Sequence, residues 1–109
     1  METNDNQAAV SALSALAQEH RLAIFRLLVQ AGHSGLPAGQ IAKSLALPAS
    51  SLSFHLSHLK AGGVVQDERD GRSIIYRADF TAMNRLIAFL LENCCEGDGC
   101  APLDKGSQC

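Results

Sequence analysis

The chain has 109 residues, a formal net charge of −2, 47% hydrophobic residues and no tryptophan. That length fits one domain whose own core is modest, so burial against a second copy would add to it. The charge excludes a general positive field for gripping nucleic acid, and any such binding must use a local patch.

Charge is unevenly distributed: residues 1–91 carry 8 Lys+Arg against 7 Asp+Glu, and residues 92–109 carry 1 against 4. The globular part is thus faintly basic, and the acid sits in the tail. The longest apolar run, Leu86 to Leu91, is far short of the 18 or so residues a membrane span needs, so no membrane contact is expected. Met1 to Gln7 is polar and lacks a secretory pattern, which points to the cytoplasm. In that reducing compartment four cysteines are read as ligands or redox centres before structural disulfides.

In chain order, residues 1–7 are expected to form a flexible N-terminus. From Ala8 a helical stripe runs through Ala9, Leu13, Leu16 and Ala17, with Ala8, Ala12 and Ala15 leaving the other side smooth. A joint at Gln18-Glu19-His20 leads to a second helix, Arg21 to Ala31, with Leu22, Phe25, Leu28 and Val29 expected to face the core. Gly32 to Pro37 reads as a loop.

Ala38 to Leu45 is a short helix, and Ala46-Leu47-Pro48 is a break, with Pro48 expected in the first turn of a new helix that runs to the glycines Gly62-Gly63. Together they read as a helix-turn-helix. Leu52, Leu56 and Leu59 fall on one narrow stripe. Ser50, Phe54, Ser57 and His58 point away from it, with Ser51, Ser53 and His55 on the flanks. This face carries no carboxylate and suits base edges and phosphate oxygens. His58 is the better phosphate contact, whereas His55 equally fits a packed histidine hydrogen-bonded to backbone. Phe54 either caps the core edge or offers apolar contact to a thymine methyl.

After Gly62-Gly63, Val64 to Arg69 and Ser73 to Ala78 read as two strands about Asp70-Gly71-Arg72, a β-hairpin wing. Lys60, Arg69, Arg72 and Arg77 are candidate phosphate holders, Arg72 at the wing tip being best placed for the minor groove, while Arg77 equally fits an ordinary solvated strand residue. Asp79 or Thr81 can cap a last helix to about Asn93, with Phe80, Met83, Leu86, Ile87, Phe89, Leu90 and Leu91 all round it. That is more apolar surface than one face can hide. A symmetric dimer through the first and last helices is therefore expected, and the fold class is mainly α with a small β-hairpin wing, a homodimeric winged helix-turn-helix spanning residues 8–93.

The run Ser53-Phe54-His55-Leu56-Ser57-His58-Leu59-Lys60-Ala61-Gly62-Gly63-Val64-Val65 resembles the recognition helix of the ArsR/SmtB family of winged-helix metal-responsive repressors. That helix typically reads Ser-x-His-Leu-x-x-Leu-x-x-Ala-Gly-Leu-Val, and Gly63 stands here where the family usually has leucine. The resemblance extends over about residues 8–93. It implies a DNA-binding homodimer reading an inverted repeat in double-stranded operator DNA, with Ser50, Ser51, Ser53, Phe54, His55, Ser57, His58, Arg69 and Arg72 at the interface.

Residues 94–109 form a cysteine-bearing tail expected to be flexible. Cys94, Cys95 and Cys100 place three thiols within seven residues, with two glycines that allow the chain to fold back. Thiolates without regularly spaced His or carboxylate partners favour soft, thiophilic ions. The residues alone leave open a trivalent metalloid, a soft divalent metal such as Cd or Zn, a vicinal-thiol redox switch, or incidental thiols. Two common sites of the family are missing: Met83 to Asn93 has no His, and Leu36 to Leu47 has no Cys. The resemblance adds that three cysteines at the end of the last helix look like arsenite sites of some members, with As(III) as effector and Sb(III) able to substitute. Cys109 reads as a bystander. An enzyme is not expected, since no phosphate-cradling loop and no cysteine at a helix N-terminus is visible.

Overall fold

A computed structural model describes residues 2–94, so Cys95, Cys100 and Cys109 lie outside the described residues. The elements are α1 (Glu2–Leu16), α2 (Glu19–Ala31), a 3₁₀ turn (Gly32–Ser34), β1 (Leu36–Pro37), α3 (Ala38–Leu45), α4 (Ala49–Ala61), β2 (Val65–Asp70), β3 (Ser73–Ala78) and α5 (Phe80–Leu90). Helix α1 thus begins at Glu2, ahead of the apolar stripe that marks it in the sequence. The sheet is antiparallel with order β1-β3-β2.

The core is aliphatic and centred on Ile24, Leu28, Ile41, Leu59 and Val64, all fully buried. In α2 the buried stripe is Ile24, Phe25 and Leu28. Leu22 and Val29, expected inside, are 45% and 40% exposed. At 100° per residue both lie about 100° from the centre of that stripe, too far round to reach the core.

Helix α1 packs on α2, α4 and α5. It does so through Ala12 and Ala15, from the side that looked merely smooth, together with Ala9 of the expected stripe, while Val10 and Leu13 are 65% and 44% exposed. Three neighbours crowding one helix demand small residues at the contact, so the alanines turn inward and the larger side chains turn out.

Gln18 caps α2, its Oε1 accepting from the Arg21 amide at 3.0 Å. The Arg21 guanidinium turns back to donate to the Ala15 carbonyl at 2.7 Å and the Ser14 carbonyl at 3.4 Å. It thereby satisfies carbonyls at the end of α1 that have no partner within their own helix.

Part of the segment expected as a loop is strand β1, which pairs Leu36 with Tyr76 and Pro37 with Ile75. Two residues are too short for an alternation to register. Pro48 is the N-cap of α4, just outside the helix, with extended backbone. The hairpin pairs Asp70 with Ser73, which leaves Gly71-Arg72 as a two-residue loop with Gly71 at φ +65, a left-handed conformation suited to glycine. Asp79 caps α5 by accepting from the Ala82 amide at 2.9 Å. The helix ends at Leu90, short of the expected Asn93, and Asn93 turns the chain at φ +60.

Candidate nucleic-acid interface

The reading helix is fixed from beneath and turned from α3 by its break. Ala46 takes the left-handed conformation, the Leu47 amide returns to the Ala42 carbonyl at 3.0 Å, and the Leu52 amide bonds the Pro48 carbonyl at 3.0 Å. Leu52, Leu56 and Leu59 are then buried. Opposite them Ser50, Ser53, Ser57 and His58 are exposed, Ser51 and His55 are half-buried, and Phe54 is 58% exposed. Phe54 therefore does not cap the core.

The aromatic groups on this helix touch one another. The Phe54 ring lies 4.6 Å from that of His58 and 5.7 Å from that of His55, centroid to centroid. His55 in turn lies 5.5 Å from His20 in the first turn of α2. His20 was not legible as a neighbour of the reading helix, because nothing in local spacing links positions so far apart in the chain. Among the described residues no hydrogen bond reaches the buried His55 Nδ1, so the backbone bond expected there is absent. Burial first, then the electrostatic influence of His20, Arg21 and His58, hold the His55 pKa below its ordinary value.

The wing sorts its charges. Lys60 Nζ meets Asp67 Oδ2 at 2.9 Å, and Arg77 Nη1 meets Glu68 Oε1 at 2.9 Å while its Nε donates to the His33 carbonyl at 3.0 Å. The hydrogen bond and charge of Asp67 raise the Lys60 pKa. These two cations, candidates for holding phosphates, instead neutralise carboxylates that would repel them. Arg69 and Arg72 are exposed, and neither side chain enters a hydrogen bond or ion pair among the described residues. Near the tip only Asp70 opposes them, so the hairpin offers a local cationic end despite three acids in β2.

Cys94 is half-buried just past α5, and its amide donates to the Leu91 carbonyl at 2.9 Å. Among the described residues no three His, Cys, Asp or Glu side chains are grouped so as to hold a metal ion.

Comparison with known proteins agrees with this geometry. The Helix-turn-helix domain family matches residues 16–68. The HTH-type transcriptional regulator YgaV of Escherichia coli is 32% identical over 84 residues, 77% of this chain and 83% of that protein. The transcriptional activator HlyU of Vibrio cholerae is 31% identical over 98 residues, 90% of this chain and 87% of that protein. The transcriptional repressor SmtB of Mycobacterium tuberculosis is 40% identical over 70 residues, 64% of this chain and 50% of that protein. An ArsR-like transcriptional regulator from Rhodococcus sp. RHA1 superposes with a TM-score of 0.68 at 31% identity, covering 79% of this chain and 77% of that one. The chain belongs to the ArsR/SmtB family.

This ArsR/SmtB-family protein is accordingly a winged-helix transcriptional regulator and not an enzyme. Two further structural neighbours bear on how such a domain works. One is a homodimeric winged helix-turn-helix DNA-binding domain from Mycobacterium bovis, with a TM-score of 0.67 at 26% identity, covering 83% of this chain and 82% of that one. The other is a possible transcriptional regulator for arsenical resistance, with a TM-score of 0.62 at 28% identity, covering 73% and 80%. No helix among the described residues is long and apolar enough to cross a membrane.

Proposed function

We propose that this ArsR/SmtB-family chain acts in the cytoplasm as a homodimeric repressor of a metalloid-resistance operon, released from its operator when As(III) or Sb(III) binds Cys94, Cys95 and Cys100. Two reading helices related by a two-fold axis would enter successive major grooves about 34 Å apart and read an inverted repeat. Dimerisation would use α1 and α5. The exposed Val10, Leu13 and Leu90 support that choice, as does the homodimeric state of the Mycobacterium bovis domain.

The observation that carries the effector reading is the position of Cys94. It follows the turn that ends α5, and Cys95 is the next residue, so an ion held by these thiolates would act on the end of a helix assigned to the dimer contact. Three thiolates form a soft donor set that suits a trivalent metalloid. The similarity to a possible regulator for arsenical resistance supports the same reading. Release by 100-fold requires roughly 3 kcal/mol of coupling between the thiol site and the DNA site.

The test is fluorescence anisotropy of a labelled duplex from the promoter of the protein's own operon, titrated with reduced protein and then with As(III), Sb(III), Zn(II) or diamide. Release by As(III) or Sb(III) but not Zn(II) is expected, and Cys95→Ser should bind DNA normally yet stay bound when arsenite is added. Release by diamide alone, reversed by dithiothreitol, would replace the metalloid with a redox signal sensed by the Cys94/Cys95 pair. Release by Zn(II) would assign a soft divalent metal.

A further inference from the structure

The reading face of α4 carries one side chain that does not match its neighbours. Ser50, Ser53 and Ser57 can donate to or accept from any polar base edge or phosphate oxygen. Phe54, among them, has no donor or acceptor and is 58% exposed. It is also held in place: the His58 ring lies against it at 4.6 Å with the planes inclined by 56°, and the His55 ring, itself beside His20, approaches at 5.7 Å. A pre-ordered ring loses little rotamer freedom when it meets a partner. On the major-groove edges of a B-form duplex the one apolar group is the C5-methyl of thymine.

We infer that Phe54, propped by His58, is a specificity-determining residue that selects a thymine at one position of each operator half-site by packing on its C5-methyl group. This deepens the operator-binding reading and rests on it. Ser53 and Ser57, the exposed polar residues beside Phe54 on this face, then add polar contacts to neighbouring groups, while the wing arginines contribute affinity without sequence information. His58 acts here as a positioning residue. Its ring fixes the direction of the phenyl group, a task a phosphate contact alone would not require.

The experiment replaces each thymine of the bound promoter duplex, one at a time, by deoxyuridine, which removes only the methyl group. Binding of full-length reduced protein is then measured at fixed salt. The inference expects one symmetry-related pair of positions at which each replacement weakens binding about fourfold, the factor for burying one methyl-sized group, with the others near neutral. Phe54→Ser, a change at an exposed position, should bind the thymine duplex more weakly and lose discrimination at that pair. Phe54→Leu should keep part of it, and His58→Ala should blunt it. Uniform affinity across the deoxyuridine series, with promoter binding still specific, would overturn the inference and leave the repressor reading intact. So would undiminished methyl discrimination by Phe54→Ser. Failure to bind the promoter duplex above unrelated DNA would overturn the operator reading and this one with it.

Discussion

Gly62, at the end of the reading helix, lies directly against Ala15 of α1. A Cβ placed on Gly62 would stand 2.5 Å from the Ala15 Cβ and 2.9 Å from the Ser11 carbonyl oxygen. The backbone at Gly62 is ordinary αR, so glycine is needed there for closeness and not for its dihedral freedom. The contact ties the DNA-reading helix to a helix whose other side carries the exposed Val10 and Leu13.

Gly62→Ala is expected to destabilise the domain by about 1–3 kcal/mol, the usual cost of overpacking a close contact, read as a lowered midpoint in chemical or thermal unfolding. Pairing it with Ala15→Gly should recover part of the loss, because that change relieves the Cβ clash and leaves the Ser11 carbonyl in place. Unchanged stability of the single variant would mean that α1 and α4 separate without cost.

Much of this arrangement is legible in the sequence where local chemistry decides it. The stripe Leu52, Leu56, Leu59 and the wing strands follow from spacing and residue type alone, and the cap of the last helix is narrowed to Asp79 or Thr81. Which face of α1 turns inward does not, because alanine fits either side and only the three neighbours settle it. Leu22 and Val29 mislead for a related reason: their apolar character fits the core, but Ile24, Phe25 and Leu28 fill it first. Lys60 looks like a phosphate contact, and Arg77 like either that or a solvated strand residue, until β2 brings Asp67 and Glu68 beside them.

Arg21 joins α1 to α2 through the Ala15 and Ser14 carbonyls, and its charge sits at the negative end of the α1 dipole. Arg21→Met keeps the aliphatic length and removes the donors. It is expected to cost about 1–2 kcal/mol, at the lower end for hydrogen bonds to charged groups because the site is only part-buried. Faster amide exchange confined to the last turn of α1 and the first of α2 would locate the loss. Wild-type exchange there would count against the clamp.

The lowered pKa of His55 makes stability depend on pH. Above its ordinary value of 6.5 the ring is neutral in both folded and unfolded chains and contributes no difference. As pH falls below that value the unfolded chain takes up a proton while the folded one lags, so stability is lost until the folded pKa is passed. The unfolding free energy should therefore drop as pH falls through 6.5, and drop less in His55→Gln. Equal slopes in the two proteins would exclude His55 as the source.

On the wing, Arg72→Ala should weaken DNA binding and lower the salt dependence by about one counterion per protomer, as loss of a phosphate contact does. Lys60→Ala should weaken binding with little change in that slope, since it uncovers Asp67 and removes no phosphate contact. The double variant Lys60→Ala/Asp67→Ala should return close to wild-type affinity. If the double variant stays as impaired as Lys60→Ala, Lys60 touches DNA itself.

Leu13 and Leu22 provide a matched pair for locating the dimer contact, because they are almost equally exposed, 44% and 45%, on α1 and α2. A carboxylate at a two-fold apolar contact is buried twice, once from each copy, and desolvating each costs several kcal/mol. Leu13→Glu should therefore dissociate the dimer at micromolar concentration in sedimentation velocity, while Leu22→Glu leaves it intact and both retain helical circular dichroism. Operator binding should fall with dimerisation, since one reading helix alone gives up the second half-site. If Leu22→Glu dissociates the dimer and Leu13→Glu does not, the contact runs through α2, and an ion held near Cys94 would have to reach the reading heads by way of α5 and its packing on α1 within a single protomer.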